Sequence, residues 1–389
     1  MARILFAWEM GEGMGHLVPL KPVLERIVAR GHELVVAAVD LRSARSALGH
    51  IASAFVQAPK VVDRQYPLGR LAEGAADLLE LNGFCDPSML RGRHHVWLQL
   101  AALYRPDLVL AEHSPGALLM ARTLGIPAIH AGTGFTLPPE NEPILFAGAN
   151  PEENQRREAS VVERFNSLIA AGGGRPLGAL HELYNDLAAR FLLTFEELDQ
   201  LGPREGVTYL GADVPAAGEP PQWAGEGKRV FAYLKPRQDL EAFLVAISRL
   251  ELSLLMVPDR VDPALTDRFN GGNIRIVKQR FNMREVVSQA DLLVFNGNHG
   301  TACAGLTGGV PMLAFPLHQE QEACTRRITA SGLGAGLLRS HPESVQPVIE
   351  QVLGSAGIRE HASDVAARYG GFDYQNSVDS MVGQLADLL

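Results

Sequence analysis

Short apolar runs alternate with helix-like segments along the first half of the chain. Residues 4–8 have the continuous apolar character of a buried strand, and residues 19–30 place apolar side chains on one face of a helix that Gly31 ends. The same rhythm returns at residues 34–39, 108–111, 117–124 and 127–130. Strands that are apolar throughout are typical of a parallel sheet that helices cover on both faces.

The composition changes between residues 212 and 228, where several prolines and glycines interrupt any apolar period. Such a segment is typical of an interdomain linker. The strand–helix rhythm then resumes at residues 230–234, 240–250, 252–257, 274–277, 292–295 and 311–315. We therefore expect an α/β protein with two doubly wound, Rossmann-like domains that face each other across a cleft.

These patterns predict an N-terminal domain at residues 1–212, a linker at 213–227 and a second domain at 228–375, with a C-terminal helix at 376–389. Residues 138–174 are polar and contain two adjacent prolines and a run of three glycines. We expect this stretch to contain flexible loops.

Composition and charge narrow the class of protein. The chain has 389 residues, of which 47% are hydrophobic, as in a globular protein with a large core. It carries 35 Lys and Arg against 44 Asp and Glu, and the net charge of −9 argues against a nucleic-acid-binding protein. Three scattered cysteines indicate a reducing compartment. No apolar run reaches the roughly 18 residues of a membrane span, and the first residues do not resemble a signal peptide, so we expect a cytoplasmic protein.

The sequence G-E-G-M-G-H at residues 11–16 directly follows the first predicted strand. Gly13 and Gly15 allow a sharp turn and the close approach of a ligand to the backbone. The spacing differs from the G-x-G-x-x-G of dinucleotide-binding proteins. His16 lies at the carboxyl edge of the predicted sheet, where α/β proteins bind ligands. By itself this segment fits a ligand-binding histidine and a helix-capping or solvated histidine equally well.

A second glycine-rich junction, N-G-N-H-G-T at residues 296–301, lies between the strand at 292–295 and a predicted helix at 301–307. The unpaired backbone N–H groups and the positive end of a helix dipole at such a junction suit a phosphate. After the strand at 311–315, Glu320 and Gln321 offer a carboxylate and a carboxamide that suit the vicinal hydroxyls of a sugar. Taken alone, these two residues fit a solvated helix start better.

Together these segments resemble a known signature. Following N-G-N-H-G-T, the run G-V-P-M-L-A-F-P-L-H-Q-E-Q at residues 309–321 closely resembles the donor-binding motif of nucleotide-sugar-dependent glycosyltransferases of the GT-B fold. The family resembled is that of the UDP-glycosyltransferases and the bacterial antibiotic and macrolide glycosyltransferases. G-H-L-V-P-L, R-G-H-E-L-V-V and R-P-D-L-V-L-A-E resemble the same family in the same order. The resemblance covers residues 3 to 336.

The resemblance implies an acceptor-binding N-terminal domain, a donor-binding C-terminal domain and a C-terminal helix that packs back on the first domain. In the family, the histidine after the first strand takes a proton from the acceptor hydroxyl, and the matching residue is His16. An acidic residue, usually aspartate, orients that histidine, and Glu112 matches it in charge but not in length. Asp107 is the other carboxylate considered for this orienting role, but it matches a position at the start of the strand that is structural in the family. Gly13 and Gly15 would form the backbone loop near donor and acceptor.

The family's phosphate loop, H-G-G-x-G-T, matches with departures. It aligns with Asn296, Gly297, Asn298, His299, Gly300 and Thr301. Asn296 would keep a hydrogen-bond donor but not the charge of the usual histidine, so His299 or Lys235 would have to supply the cation. Ala304 stands where the family often has a ribose-binding glutamate. The nucleobase-contacting segment begins at Arg280 and Phe281, and the Arg280 guanidinium would stack on a pyrimidine. Glu320 and Gln321 would bind sugar hydroxyls.

We therefore expect an inverting glycosyltransferase that moves a sugar from a UDP- or dTDP-sugar to a hydroxyl of a small molecule. The chain has no D-x-D carboxylate pair, so we expect no metal and no cofactor besides the sugar nucleotide. Loops within residues 57–93 and 132–174 would bind the acceptor, and a homodimer is left open. Two alternatives are a GT-B sugar-nucleotide epimerase and a non-catalytic nucleotide-sugar-binding or auxiliary protein.

Overall fold

The computed structural model describes residues 1–11, 13–60, 72–140, 146, 149–339 and 341–389. These residues form two compact units. The first contains Met1–Leu193, Pro203–Gly211 and Asp373–Leu389, and the second contains Thr194–Gly202 and Ala212–Phe372. Both units are therefore built from segments that are separated along the chain.

The first unit is organised around a parallel sheet. Its described strands are β1 (Arg3–Trp8), β2 (Glu33–Ala38), β3 (Ala54–Gln57), β4 (Leu108–Glu112), β5 (Ala128–Gly132), β6 (Ala189–Leu192) and β7 (Thr208–Tyr209). They pair in the order β3-β2-β1-β4-β5-β6-β7. The chain order reverses at β1, which lies between β2 and β4, and α/β proteins bind ligands outside the carboxyl ends of the strands at such a point.

Helices cover this sheet. They are α1 (Lys21–Ala29), α2 (Leu41–Leu48), α3 (Ala75–Leu81), α4 (Pro87–Tyr104), α5 (Pro115–Leu124), α6 (Pro151–Gly172) and α7 (Glu182–Asn185). The side chains of Asp40, Asp86 and Asn150 accept hydrogen bonds from first-turn N–H groups of α2, α4 and α6. These capping bonds satisfy backbone donors that have no partner inside the helix.

Residues 138–174, where flexible loops were expected, also contain α6, a helix of 22 residues that was not predicted from the sequence. Val161, Phe165 and Ile169 are buried and recur every four residues, so they share one face of the helix. Polar residues cover the other face and lower the average hydrophobicity of the segment. Residues 141–145, 147 and 148, which belong to the same prediction, lie outside the described residues.

The second unit repeats the plan with a smaller sheet. Its described strands are β8 (Lys228–Leu234), β9 (Leu252–Pro258), β10 (Ile274–Ile276), β11 (Leu292–Phe295), β12 (Met312–Ala314) and β13 (Gly334–Gly336), in the parallel order β10-β9-β8-β11-β12-β13. Its helices are α8 (Leu240–Arg249), α9 (Pro263–Phe269), α10 (Met283–Val287), α11 (His299–Gly308), α12 (Gln319–Ala330), α13 (Val345–Gly354) and α14 (Ala356–Arg368). The prediction of two doubly wound parallel α/β domains is confirmed.

The proline- and glycine-rich segment that was predicted as the linker packs on the second unit. Pro215 accepts a hydrogen bond through its carbonyl from the Met283 N–H at 2.9 Å. The Trp223 indole N–H donates to Gln289 Oε1 at 2.9 Å. These bonds hold residues without a helical or strand period against the unit.

The last helix, α15 (Tyr374–Ala386), belongs to the first unit and packs on α1. Asp379 forms an ion pair with Arg26, and the guanidinium of Arg30 donates to the carbonyl of Val382 at 2.8 Å. The Tyr374 hydroxyl donates to the carbonyl of Pro19 at 2.7 Å.

Among the helices that the structure describes, none has both the length and the apolar character needed to cross a membrane.

We predict that Gly334→Ala destabilises the second unit. A Cβ atom at Gly334 would lie 1.9 Å from the carbonyl oxygen of Met312, its partner on β12. Relief of this overlap has to displace strand backbone, at an expected cost of about 1–3 kcal/mol. Hydrogen exchange of the β12 and β13 amides, followed by mass spectrometry, should show faster opening. Gly357→Ala on α14 is the control, because a Cβ there meets open space, and equal protection in both variants would contradict the prediction.

Candidate functional site

His16 and Glu112 form a hydrogen-bonded pair at the carboxyl edge of the first sheet. β1 ends at Trp8, and β4 ends at Glu112 directly beside it in register. The Nδ1 atom of His16 lies 2.9 Å from both Oε1 and Oε2 of Glu112. An ionised carboxylate only accepts hydrogen bonds, so Nδ1 carries the proton and Nε2 is the basic atom of the neutral ring.

The electrostatics of the pair depend on burial. Glu112 is 3% exposed. Its burial raises the pKa of the carboxyl group, and the contact with His16 opposes that shift. The carboxylate therefore relies on the His16 N–H for stabilisation, and a positive charge that arises on the imidazole would be stabilised in return.

The backbone and two neighbouring rings fix the orientation of the His16 imidazole. The rings of Trp8 and His113 lie nearly parallel to it, with centroid distances of 5.4 and 6.1 Å. Gly11 has a φ of +91°, and a Cβ atom there would lie 2.2 Å from Nε2 of His16. Only glycine therefore fits beneath the ring. This role was not recognised from the sequence, although Gly11 is the first glycine of the G-E-G-M-G-H segment.

The other two glycines of this segment have a different environment. A Cβ atom at Gly13 or at Gly15 would meet nothing within 4 Å. Gly13 has a φ of +85° and precedes the helical turn Met14–His16, whereas Gly15 lies inside that turn. Both leave open space beside the backbone. Glu12 lies outside the described residues.

Glu9 is a buried carboxylate that sequence reasoning missed. Its Oε1 accepts hydrogen bonds from the guanidinium of Arg93 at 2.9 Å and from the indole of Trp97 at 3.0 Å. Its Oε2 accepts from the backbone N–H of Gly116, in the first turn of α5, at 2.7 Å. These bonds tie α4 and α5 to the residue after Trp8, the neighbour of His16. An acidic residue immediately after a continuous apolar strand is the signal that could have found it.

Two more imidazoles lie near the pair, and His130 is buried whereas His113 is partly buried. Burial lowers the pKa of His113 and of His130 to about 3, so both are neutral near pH 7. Nε2 of His130 is 3.0 Å from the hydroxyl of Thr136. His113 has a backbone φ of +45°, which residues other than glycine rarely adopt. Over the described part of the chain, no three His, Cys, Asp or Glu side chains are grouped to hold a metal ion.

The glycine-rich junction of the second unit forms the amino end of α11. A Cβ atom at Gly297 would lie 2.6 Å from the carbonyl oxygen of Gln321, so this glycine allows α12 to approach the loop. A Cβ atom at Gly300 would meet open space. Asn298 makes no side-chain cap with the helix, and its buried Oδ1 has no hydrogen-bond partner in the described structure. The first turn of α11 therefore keeps the N–H groups and positive dipole end that suit an anion.

Asn296 connects three strands of the second sheet. Its Oδ1 accepts a hydrogen bond from the backbone N–H of Lys235 at 2.7 Å, and its Nδ2 donates to the carbonyl of Phe315 at 2.8 Å. Asn296 is 1% exposed. Its amide is therefore engaged with the chain on both sides, and its side chain joins the residues that follow β8, β11 and β12.

The two candidate cations differ in charge. Burial lowers the pKa of His299 to about 4, so this imidazole is neutral near pH 7. Its Nε2 lies 3.4 Å from Sγ of Cys303, one helical turn along α11. The ammonium of Lys235 lies 3.7 Å from Oδ2 of Asp259, and the Lys235 side chain is 34% exposed. Of these two residues, Lys235 is the one that brings a positive charge.

The predicted sugar-binding residues begin α12. Gln321 is 4% exposed, and its Oε1 accepts a hydrogen bond from the backbone N–H of Leu317 at 2.9 Å. The side-chain oxygen of Gln321 thus stabilises the loop before the helix. Glu320 is partly exposed in the same turn.

The predicted nucleobase residues lie in contrasting surroundings. Phe281 is 5% exposed and packs edge-to-face against Phe231, with ring centroids 6.2 Å apart. Its ring is part of the core, and this burial leaves no open face on which a nucleobase could stack. Arg280, the preceding residue, is exposed.

Comparison with known proteins gives a sequence relative over a short segment. No family model matches the chain. The NDP-glycosyltransferase YjiC of Bacillus licheniformis is 30% identical over 94 residues, which are 23% of this chain and 23% of that protein. The matched segment therefore spans about a quarter of the curated relative.

The likeness to solved structures extends over nearly the whole chain. The calicheamicin glycosyltransferase CalG4 has a TM-score of 0.73 at 17% identity and covers 99% of this chain and 98% of its own. The spinosyn rhamnosyltransferase SpnG complexed with thymidine diphosphate has a TM-score of 0.68 at 17% identity, with 98% and 100% covered. The protein thus has the two-domain GT-B fold of antibiotic glycosyltransferases, and the resemblance seen in the sequence is confirmed at the level of the fold.

We predict that the buried His130 makes the first unit sensitive to acid. The unfolded residue has a pKa near 6.5 and the folded one about 3, so only the unfolded chain takes up this proton as the pH falls between those values. Stability is then lost as the pH falls, and His130→Gln should lose about 2 kcal/mol less than the parent between pH 7 and pH 5. Urea unfolding in a Trp223→Phe background measures this, since Trp8 and Trp97 then report on the first unit. Equal losses in both proteins would contradict the prediction.

Proposed function

We propose that the protein is an inverting, metal-independent glycosyltransferase that moves a sugar from a nucleoside diphosphate sugar to a hydroxyl of a small natural product. The observation that carries this proposal is the His16–Glu112 pair at the carboxyl edge of the first sheet, with both oxygens 2.9 Å from Nδ1. The GT-B fold supports it, because the neighbours of that fold include glycosyltransferases complexed with thymidine diphosphate.

In the proposed reaction His16 is the general base. Its Nε2 takes the proton of the acceptor hydroxyl as the acceptor oxygen forms a bond to the anomeric carbon. The bond from that carbon to the diphosphate oxygen breaks on the opposite side, and its electron pair leaves with the diphosphate. One displacement of this kind inverts the configuration. Glu112 keeps Nδ1 protonated and stabilises the imidazolium that results.

The amino end of α11 would stabilise the leaving diphosphate. The backbone N–H groups of Gly300 and Thr301 and the hydroxyl of Thr301 are the proposed donors, and preorganised donors of this kind typically contribute roughly 2.7–4 kcal/mol each. Gly297 and Asn298 shape this loop. Lys235 is the proposed cation. His299 is neutral and would contact the diphosphate only through an uncharged hydrogen bond.

Three of the residues expected from the sequence take revised parts in the proposal. Asn296 holds the strand ends together, because both ends of its amide are already bonded to the chain. Phe281 supports the core and is left out of the donor contacts. Gln321 would bind a sugar hydroxyl only through Nε2, with its Oε1 kept by Leu317, whereas Glu320 offers its carboxylate and Arg280 a face for the pyrimidine.

The acceptor would bind near His16 to segments within residues 57–93 and 132–174. Gly13 and Gly15 leave open space beside the backbone in the same loop as His16, which suits a close approach of either substrate. Residues 61–71, 141–145, 147 and 148 of these segments lie outside the described residues. A cytoplasmic location and a homodimer stay predictions, the first favoured by three unpaired cysteines among the described residues.

We predict that nucleoside diphosphate is released from a UDP- or dTDP-sugar only when an acceptor is present, and that this release depends on His16. A panel of aglycones identifies the acceptor. His16→Ala should then lower turnover by on the order of 10²–10⁴-fold, the usual contribution of a general base. Glu112→Gln should also be slow, and the double variant should lose much less than the product of the two losses. Release without acceptor would favour the epimerase alternative, and binding without turnover the non-catalytic one.

Two glycine variants test whether the position of the His16 ring matters. Gly11→Ala and Gly31→Ala both place a side chain at a positive φ, and a Cβ atom at Gly31, just after α1, would meet nothing within 4 Å. Only the first adds a methyl group against Nε2. Turnover should fall further in Gly11→Ala, with nucleotide binding intact in both variants. Equal activities would argue against a role for this imidazole.

We predict that transfer survives an excess of chelator. The charge that develops on the diphosphate would be neutralised by backbone N–H groups, the helix dipole and an ammonium, none of which a chelator removes. Initial rates are to be compared after dialysis against EDTA and after addition of Mg²⁺ or Mn²⁺. A rate that is abolished by EDTA and restored by either cation would contradict this part of the proposal.

A further inference from the structure

An ion pair between Lys235 and Asp259 lies at the carboxyl edge of the second sheet. Lys235 follows β8 and Asp259 follows β9, and the last residues of these strands pair in register. The ammonium is 3.7 Å from Oδ2 of Asp259, and the two side chains are 34% and 27% exposed. The Tyr233 hydroxyl donates to the same Oδ2 at 3.3 Å. The guanidinium of Arg260, an 87% exposed side chain, lies 3.8 Å from the other oxygen, Oδ1. Tyr233 holds the carboxylate on one side, while the lysine reaches it through a flexible side chain.

The backbone of Lys235 is fixed beside the proposed diphosphate loop. Its N–H donates to Oδ1 of Asn296, the first residue of N-G-N-H-G-T, and the Asn296 amide also donates to Phe315. Burial lowers the pKa of His318, and the nearby charge of Lys235 lowers it further. Since His318 directly precedes α12, the positive charge lies close to the elements that would hold the donor.

We propose that Lys235 binds the diphosphate of the donor and that Asp259 is a positioning residue that holds the ammonium aside until the diphosphate competes for it. This inference rests on the proposed function and deepens it. A partly exposed ion pair with one contact of 3.7 Å is weak, so Asp259 gives up the ammonium at little cost. A diphosphate at the amino end of α11 carries more negative charge than one carboxylate, and the long lysine side chain can turn to it.

Asp259 then has a defined effect on affinity. Before the donor binds, its carboxylate neutralises Lys235 next to the positive end of α11. When the donor binds, the lysine–carboxylate contact is exchanged for a lysine–phosphate contact, so the strength of the first contact is subtracted from the affinity. Removing the carboxylate should tighten binding, but only while Lys235 is present.

A double-mutant cycle tests this coupling. The dissociation constants of thymidine 5′-diphosphate and uridine 5′-diphosphate are measured by calorimetry on the full chain. Lys235→Met should weaken binding of the preferred diphosphate about 10-fold, as expected for the loss of a charge-assisted hydrogen bond. Asp259→Asn should tighten it about 2- to 5-fold. In the Lys235→Met background, Asp259→Asn should have no effect.

Three further variants separate this coupling from other causes. Lys235→Arg keeps the positive charge and should retain binding. Glu350→Gln removes an exposed carboxylate of α13, in the same unit, and should leave binding unchanged. Gly300→Val places a branched side chain where the diphosphate would approach the backbone and should abolish binding. Thermal unfolding of each variant verifies that it is folded.

The outcomes distinguish the two proposals. If Asp259→Asn tightens binding equally with and without Lys235, the carboxylate acts through its general charge and the positioning role is overturned. If Lys235→Met binds as well as the parent, Lys235 is no ligand of the diphosphate and this inference is overturned, although the proposed transfer with His16 as base stands. If Gly300→Val binds like the parent, the diphosphate lies elsewhere. If the parent binds neither of the two nucleoside diphosphates and releases none from a sugar donor, the proposed function fails and this inference fails with it.

Discussion

The burial of Glu112 against His16 is the interaction on which the geometry of the candidate site in the first unit depends. A carboxylate removed from water needs hydrogen-bond donors, and Nδ1 of His16 lies 2.9 Å from both of its oxygens. That contact fixes the tautomer and leaves Nε2 as the unprotonated nitrogen of the neutral ring. The sheet supplies the position, because β1 and β4 end side by side. Gly11 supplies the room, since any side chain there would overlap the imidazole ring.

The second unit meets a related constraint with a neutral side chain. Asn296 is buried where three strands end, so both ends of its amide are bonded to the chain. It joins the loop before α11 to Lys235, which follows β8. The asparagine stands where the resembled family has a histidine, and it brings no positive charge. A positive charge is present on the neighbouring strand, where Lys235 is paired with Asp259. In the proposed site, this one local substitution would change which side chain meets the diphosphate.

Sequence reasoning found the elements more readily than the contacts. The strand at 292–295 was predicted with the bounds that the structure has, because a continuous apolar run between polar residues is a local signal. The helix α6 was missed, because its buried residues are spaced among charged ones. The role of Glu9 and the burial of Phe281 were not predicted, for a different reason. Whether a residue faces solvent, a core or another side chain depends on partners that are remote along the chain.

The sequence by itself determined the α/β fold, the two glycine-rich strand–helix junctions and the pairing of a histidine with a carboxylate, since each rests on a local pattern or a family resemblance. Tertiary structure alone decided which of the candidate polar groups keep their hydrogen-bonding capacity. Asn296 and Gln321 use theirs on backbone groups that the fold brings beside them. Desolvation in the fold lowers the pKa of His299 to about 4 and leaves this imidazole neutral near pH 7, whereas the Lys235 side chain remains 34% exposed. Burial and long-range hydrogen bonds are properties of the packed chain, and no short segment encodes them.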